Sequence, residues 1–331
     1  MIHIAIDGMG GDNAPEITVK GAVQALAVHP DVSILLYGDE AKLKPYVTYS
    51  DRIKIIHTKD MVSMDEKEAI NAMRHDKTSS LSMAMQAVNQ GEAQAVVSAG
   101  PTGPMVAGAH VILKRIKGMK RTALMPILNS NGTYKLLLDV GANIETKPEH
   151  LVQYATAASI YCKYVLGVST PKVGLLNNGS EEGKGRELEQ EAYQLLKATP
   201  DISFVGNVEA KGFFESDVNI YITDGYTGNA VLKAIEGTLK TFSNGLKSEI
   251  KKSPLSMLGA VLMSKSLRGV RKYFQVATGA ILLGVNGAVI KAHGSSTAEE
   301  FASAIDQAID IAKGDVVSRL RKALEDEVEA V

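Results

Sequence analysis

The sequence predicts an α/β fold: three layers, α/β/α, around a large, mainly parallel sheet. Three observations predict it. Short apolar runs of strand character recur along the 331 residues, helical periodicity fills most of the gaps between them, and run after run closes on a small cluster of Gly, Ser, Thr, Asn or Asp. Ligands of open α/β sheets bind beyond the carboxyl ends of the strands, so six such clusters in one chain favour a binding rim over six chance turns.

The elements follow in order. Ile2, Ile4 and Ile6 alternate into Asp7 and break at Gly8-Met9-Gly10-Gly11-Asp12, after which Ile17, Ala22, Val23 and Leu26 carry helical spacing. This reads as strand, glycine loop, helix. Further strands are expected in VSILLYG, IKIIHT, AQAVVSAG, ALMPIL, YKLLLDVGAN, KVGLLNNG, VNIYITDG and GAVIKAHGSS, with helices over 79–90, 104–115, 148–166, 185–198 and 226–250. The polar closures are Gly10 to Asp12, Ser98 to Gly103, Asp139 to Asn143, Asn177 to Gly179, Thr223 to Gly225 and His293 to Ser296. Capping boxes start the C-terminal helices, either Ser296 with Glu299 or Thr297 with Glu300. No repeat or low-complexity linker divides the chain. It reads as one α/β catalytic domain over 1–331, as a single body or two lobes, with a helical excursion at about 240–275.

Composition excludes several classes. Thirty-six basic residues face 37 acidic ones, for a net charge of −1, and tryptophan is absent, so nucleic acid is not an expected partner. The single cysteine, Cys162, rules out internal disulfides and suits a reducing compartment. It shares a helical face with Leu151, Ala155 and Ala158, which favours core packing over a nucleophilic role. The chain opens on a strand rather than a cationic leader, and no apolar run reaches the roughly 20 residues of a membrane span, so a cytoplasmic location is expected.

Familiar motifs fail by small margins. Counting G-x-G-x-x-G from Gly8 puts Asn13 at the third glycine, which argues against a dinucleotide. GSEEGKG, Gly179 to Gly185, falls one residue short of a P-loop and has glycine for its Ser or Thr. No G-x-S-x-G elbow exists, and His293 has no local acid partner. The scattered histidines offer no metal site, although Asp7, Asp12, Asp139 and Asp224 leave a hard cation open. No metal and no cofactor are expected. What remains is a rim of backbone donors, hydroxyls, amides and one or two cations, suited to a reaction whose nucleophile arrives with the substrate, phosphate among the candidates.

Six motifs in one order, AIDGMGGDNAP, VSAG-x-TG, LLLDVGAN, LLNNGSEEGKG-x-EL, TDGYTGN-x-x-LK and LLGVNGAVIKAHGSS, resemble the phosphate acyltransferase family of bacterial phospholipid synthesis, the PlsX family. The resemblance spans nearly the whole chain. It implies the fold of the isocitrate and isopropylmalate dehydrogenases, shared with phosphotransacetylases, and a homodimer. It also implies transfer of a long-chain acyl group from acyl-acyl carrier protein to inorganic phosphate. The acyl phosphate would serve phosphatidic acid synthesis, with a glycerol-3-phosphate acyltransferase as a downstream partner. The chain departs from the family's usual residues at Gly8, Asn13, Pro101, Pro104 and Arg186; Pro101 removes a backbone donor from the expected rim. Alternatives are a phosphotransacetylase acting on acyl-coenzyme A, a hydroxyacid dehydrogenase and a non-catalytic membrane scaffold.

On this reading Lys184, expected at a helix start, counters phosphate charge, Asn229 donates to phosphate or oxyanion, and His293 positions the thioester or assists the leaving sulfur. Gly10, Gly11, Asp12, Ser98, Gly100, Thr102, Gly103, Asn143, Asn177, Gly183, Asp224, Thr227, Gly228 and Ser295 are the expected substrate and phosphate contacts. Phosphate is already nucleophilic near neutrality and a thiolate leaves readily, so alignment and charge neutralisation are the main tasks. In the excursion, Pro254 ends one helix, and Leu255, Leu258, Val261 and Leu262 then form an apolar tip between cationic flanks at Lys251, Lys252, Lys265, Arg268, Arg271 and Lys272. That pattern suits an anionic membrane surface, giving peripheral membrane association, and equally suits a dimer interface. Arg74, Lys77 or these flanks are candidate docks for acidic acyl carrier protein.

Overall fold

The computed structural model describes residues 1–48, 51–66 and 68–329. Their strands are β1 (Ile2–Asp7), β2 (Val32–Gly38), β3 (Ile53–His57), β4 (Ala95–Ser98), β5 (Ala123–Ser130), β6 (Thr133–Leu138), β7 (Lys172–Asn177), β8 (Ser203–Glu209), β9 (Ile220–Ile222), β10 (Gln275–Leu283) and β11 (Ala288–Ala292). The chain forms two compact units. The first comprises Met1–Leu124, Ile160–Ser169 and Thr278–Val331, and the second Met125–Ser159 and Thr170–Ala277.

In the first unit the strand order is β3-β2-β1-β4-β11-β10, parallel except for β10 against β11. Ile4, Ile6, Ile34, Leu36, Val96, Val97, Val289 and Ile290 are all buried. Parallel strands covered on both faces need continuous apolar runs of this kind. Helices Glu16–Val28 and Ala298–Gly314 pack together on the sheet. The second of them uses one of the two expected capping boxes: Thr297 N–H donates to Glu300 (2.9 Å) and Glu300 N–H to Thr297 Oγ1 (3.2 Å). Cys162 is fully buried, and burial pushes its thiol up to about 12. Because β1, β4 and β11 run in one direction, Asp7, Ser98 and His293 lie at or just beyond the same edge.

The second unit has the order β5-β6-β9-β7-β8, with β5 and β6 joined as an antiparallel hairpin and the other pairs parallel. The carboxyl ends of β6, β9 and β7 therefore share an edge, placing Asp139, Thr223 and Asn177 together there.

Every strand run and helical span expected from the sequence forms, with shifted ends. Two strands were not legible. β8 carries Gly206 at φ +95° inside it and a register shift against β7, and β10 holds Gly279 in a short apolar run; both interrupt strand alternation. The excursion is helix Gly225–Lys251, then Pro254–Leu262 and Ser264–Arg271. Residues 241–249 are exposed, and Pro254–Leu262 buries none of its residues, with Leu255 and Leu262 each 78% exposed. Among the described residues no helix is long and apolar enough to cross a membrane.

Candidate functional site

The polar loops gather into one cluster in each unit. In the first, Asp7 is the hub. Its carboxylate is buried and accepts from Ser80 Oγ (2.6 Å), Ser98 Oγ (2.7 Å) and Met9 N–H (3.2 Å), while Ser98 Oγ accepts from Gly100 N–H (2.9 Å). Burial raises this carboxyl above its ordinary value, against the bonds from Ser80 and Ser98 that favour the charged form. Gly10 lies so close that a Cβ on it would fall 2.4 Å from Asp7 Oδ2 and 2.8 Å from the Gly100 nitrogen. The loop then turns at Gly11, and Asp12 N–H donates to Gly294 O (2.8 Å), bringing the glycine loop against the segment that carries His293 and Ser295.

His293 is exposed, and its Nδ1 lies 2.9 Å from Ser295 Oγ. Pro101 precedes helix Thr102–Gly108, so the lost N–H falls at a helix entry; Pro104 stands in the first turn, where an N–H has no intrahelical partner in any case. Thr102 and Gly103 are exposed at that start.

In the second unit Asp139 is the matching hub. Its carboxylate is buried and accepts from the N–H groups of Gly141 (3.2 Å), Ala142 (3.0 Å) and Asn143 (2.8 Å) and from Asn143 Nδ2 (2.9 Å). Asn143 Nδ2 also donates to Tyr154 Oη (3.0 Å), so its amide hydrogens are engaged inside the protein. Helix Gly225–Lys251 starts against this knot: a Cβ on Gly228 would sit 2.0 Å from Asp139 O, a backbone atom with no room to move. Asn229 follows, exposed, close to Gly141.

Asp224 caps that helix, accepting from Thr227 N–H (2.9 Å) and Thr227 Oγ1 (2.8 Å). Burial alone would raise its carboxyl, but these bonds and Arg186 together hold it below the usual range. Arg186 Nη2 donates to Asp224 Oδ2 (2.5 Å) and to Glu189, and its Nε lies 3.1 Å from both Glu189 oxygens. Its own pKa is raised by Glu189 and Asp224.

Lys184 requires a correction. It stands in the turn before the helix, which begins at Glu187 with Arg186 as its N-cap, two residues later than the expected start at 185. Lys184 is exposed, as is Gly183, and the Lys184 carbonyl accepts from Asn177 Nδ2 (3.1 Å). The second Asn177 amide hydrogen goes to Asn207 Oδ1 (3.1 Å). Asn143, Asn177 and Asp224 thus shape loops, while Lys184, Asn229 and the first amides of helix Gly225–Lys251 are exposed or at its start. Sequence reasoning missed Ser80, Arg186, Glu189 and Asn207. Only Arg186 with Glu189 left a signal, the three-residue spacing of a capping box, obscured because arginine is not a usual cap. Among the described residues no three His, Cys, Asp or Glu side chains are grouped to hold a metal.

The family described as fatty acid synthesis protein matches residues 2–319. A phosphate acyltransferase of Lacticaseibacillus casei (strain BL23) is 45% identical over 302 residues, covering 90% of this chain and 88% of the relative. Another, of Streptococcus suis (strain 05ZYH33), is 44% identical over 324 residues, 96% of each. Among solved structures, a phosphotransacetylase from Streptococcus pyogenes matches with a TM-score of 0.63 at 18% identity, over 96% of this chain and 94% of its own. A branched-chain phosphotransacylase from Enterococcus faecalis V583 gives 0.62 at 16%, over 94% and 99%. A 4-hydroxythreonine-4-phosphate dehydrogenase from Klebsiella pneumoniae gives 0.51 at 14%, over 94% and 99%. These structural likenesses show the expected α/β fold.

Proposed function

Because this chain belongs to the fatty acid synthesis protein family, that of the phosphate acyltransferases, we propose that it transfers an acyl group from acyl carrier protein to inorganic phosphate. The observation that carries the chemistry is the start of helix Gly225–Lys251. Its first two amides, Gly225 and Tyr226, precede the capped Thr227 and have no intrahelical partner; they lie beside the Arg186 ion pair, with the exposed Lys184 on the adjoining loop. Helix amides and cations favour an oxyanion, and the cluster presents donors rather than a nucleophile paired with a base. A phosphate oxygen attacks the thioester carbonyl carbon, the carbon–sulfur bond breaks, and the thiolate leaves as acyl phosphate forms. Lys184 counters phosphate charge and Asn229 donates to phosphate or to the oxyanion. In the first unit the Gly10–Gly11 loop, Ser98 and Ser295 are assigned to substrate or phosphate, and His293 to the thioester or its leaving sulfur. The step needs no cofactor.

The exposed tip at Leu255, Leu258, Val261 and Leu262 is assigned to an anionic membrane surface or to the partner in a homodimer. Membrane contact suits delivery of acyl phosphate to a glycerol-3-phosphate acyltransferase for phosphatidic acid synthesis. A Leu258→Glu/Leu262→Glu variant is expected to lose sedimentation with anionic vesicles; unchanged sedimentation removes the membrane role.

The deciding experiment measures phosphate-dependent release of acyl carrier protein from palmitoyl-acyl carrier protein, with palmitoyl-coenzyme A in parallel and hydroxylamine trapping acyl phosphate. Release from the carrier protein alone is expected. Turnover of the coenzyme A thioester would favour the second reading, suggested by the fold likeness to phosphotransacetylases. Phosphate-dependent turnover of neither would refute both.

A further inference from the structure

The Asn177 to Arg186 loop carries Lys184 but has little packing of its own: Glu181, Glu182, Gly183 and Lys184 are all exposed. Polar bonds hold it instead. Asn177 Nδ2 reaches Lys184 O (3.1 Å), Asn207 Nδ2 reaches Glu181 O (2.7 Å), and Gln190 Nε2 reaches the carbonyls of Gly183 and Gly185 (3.1 Å each). Each of these ties the loop to its own strands or its own helix. Arg186 is different. It links the end of the loop to Asp224, and so to the start of helix Gly225–Lys251, 38 residues away in sequence.

The choice of arginine follows from the partners. Glu189 and Asp224 are buried to 7% and 4% exposure, and both face one guanidinium. A planar fork serves two carboxylates at fixed angles; an ammonium is a point charge that holds neither angle. Asp224 is at the same time the helix cap, taking the Thr227 N–H, so whatever holds its carboxylate also fixes the first turn, which carries the Gly225 and Tyr226 amides.

Resting on the function proposed above, we infer that Arg186 is a positioning residue for phosphate. Through Asp224 it makes the Lys184 loop and the donor amides of helix Gly225–Lys251 one body, so an oxyanion meets both together. Without it, two buried carboxylates lose their shared counter-charge, the cap loosens and the loop separates from the helix start.

The test uses Arg186→Met and Arg186→Lys in the full chain, with two readouts. In steady-state kinetics Arg186→Met is expected to raise KM for inorganic phosphate about tenfold while kcat changes less than about threefold, and Arg186→Lys to recover only part of that loss. In amide hydrogen exchange, segments 179–185 and 225–229 are expected to exchange faster together in Arg186→Met, and to be protected together by phosphate in the unaltered protein. An unchanged KM for phosphate, or faster exchange in one segment only, overturns the inference. A raised KM with unchanged exchange also overturns it, since Arg186 would then touch phosphate directly. If Arg186→Met does not fold, Arg186→Lys carries both readouts. If the unaltered protein turns over neither thioester, the functional reading fails, and the paired exchange response alone decides the coupling.

Discussion

Asp7 and Asp139 occupy equivalent places, each closing a strand at the polar edge of its unit, yet they are satisfied in different ways. Asp7 draws its partners from far along the chain, Ser80 and Ser98 being 73 and 91 residues distant. Asp139 draws its backbone partners from the next four residues. The first knot fastens three separate segments through side chains; the second folds one loop upon itself and offers the result as a seat for a helix. A knot of the first kind is sensitive to its hub, and one of the second kind to the fit of what sits on it.

That contrast ranks the glycines first. Gly228→Ala would drive a methyl group to 2.0 Å from the Asp139 carbonyl, and the helix must lift off its seat. We expect a loss of more than about 3 kcal/mol in urea unfolding, or no folded protein. Gly10→Ala meets the Asp7 Oδ2 side-chain atom at 2.4 Å and backbone only at 2.8 Å, at the Gly100 nitrogen, so the expected loss is smaller, about 2 kcal/mol. Equal losses would mean that the two seats are equally rigid.

The hubs come next. Asp7→Ala strands two buried hydroxyls and the Met9 N–H in a region closed to water, for an expected loss of about 2–3 kcal/mol. Asp139→Ala releases the Asn143 side-chain amide, which keeps Tyr154 Oη, and the N–H groups of Gly141, which is exposed, and of Ala142 and Asn143, which are half-buried; water replaces part of what is lost, and about 1 kcal/mol is expected. Unfolding of the two variants side by side checks the order, and a reversed order would break the distinction between distant and local knots.

The same distinction explains what the sequence made legible. In DVGAN a carboxylate followed by small residues reads as a turn from spacing alone. The strand ends at Asp7, Ser98 and Asp139 were legible because apolar runs stop abruptly there. Ser80 was not, because a serine at the start of a helix looks like any other until the tertiary fold brings Asp7 to it. Arg186 was hidden for the same reason: its partner Asp224 lies on another strand's closure. Lys184 drew attention through a near-miss P-loop, and the structure moves it from the helix into the turn, a shift that element boundaries read from propensity do not resolve.

The smallest effect separates the two units by sign. In the first, burial raises the Asp7 carboxyl above 3.8, so the folded protein binds this proton more tightly than the unfolded chain, whose value is about 3.9. Stability from this group therefore falls as pH rises from about 4 through the raised folded value, and Asp7→Asn lacks that fall. In the second unit Asp224 lies below 3.8: burial pushes it up, and the Thr227 and Arg186 bonds outweigh burial. Its contribution is fully present above about 4 and is lost as pH drops through the lowered folded value. Urea unfolding between pH 7 and the acid limit of folding should show the advantage of the unaltered protein over Asp7→Asn growing as pH falls toward 4. Its advantage over Asp224→Asn should stay flat to about pH 5 and then shrink. If both gaps moved in the same direction, Asp7 would be held as firmly in its charged form as Asp224, and the distant knot would be an ionic clasp rather than a buried acid fastened by hydroxyls.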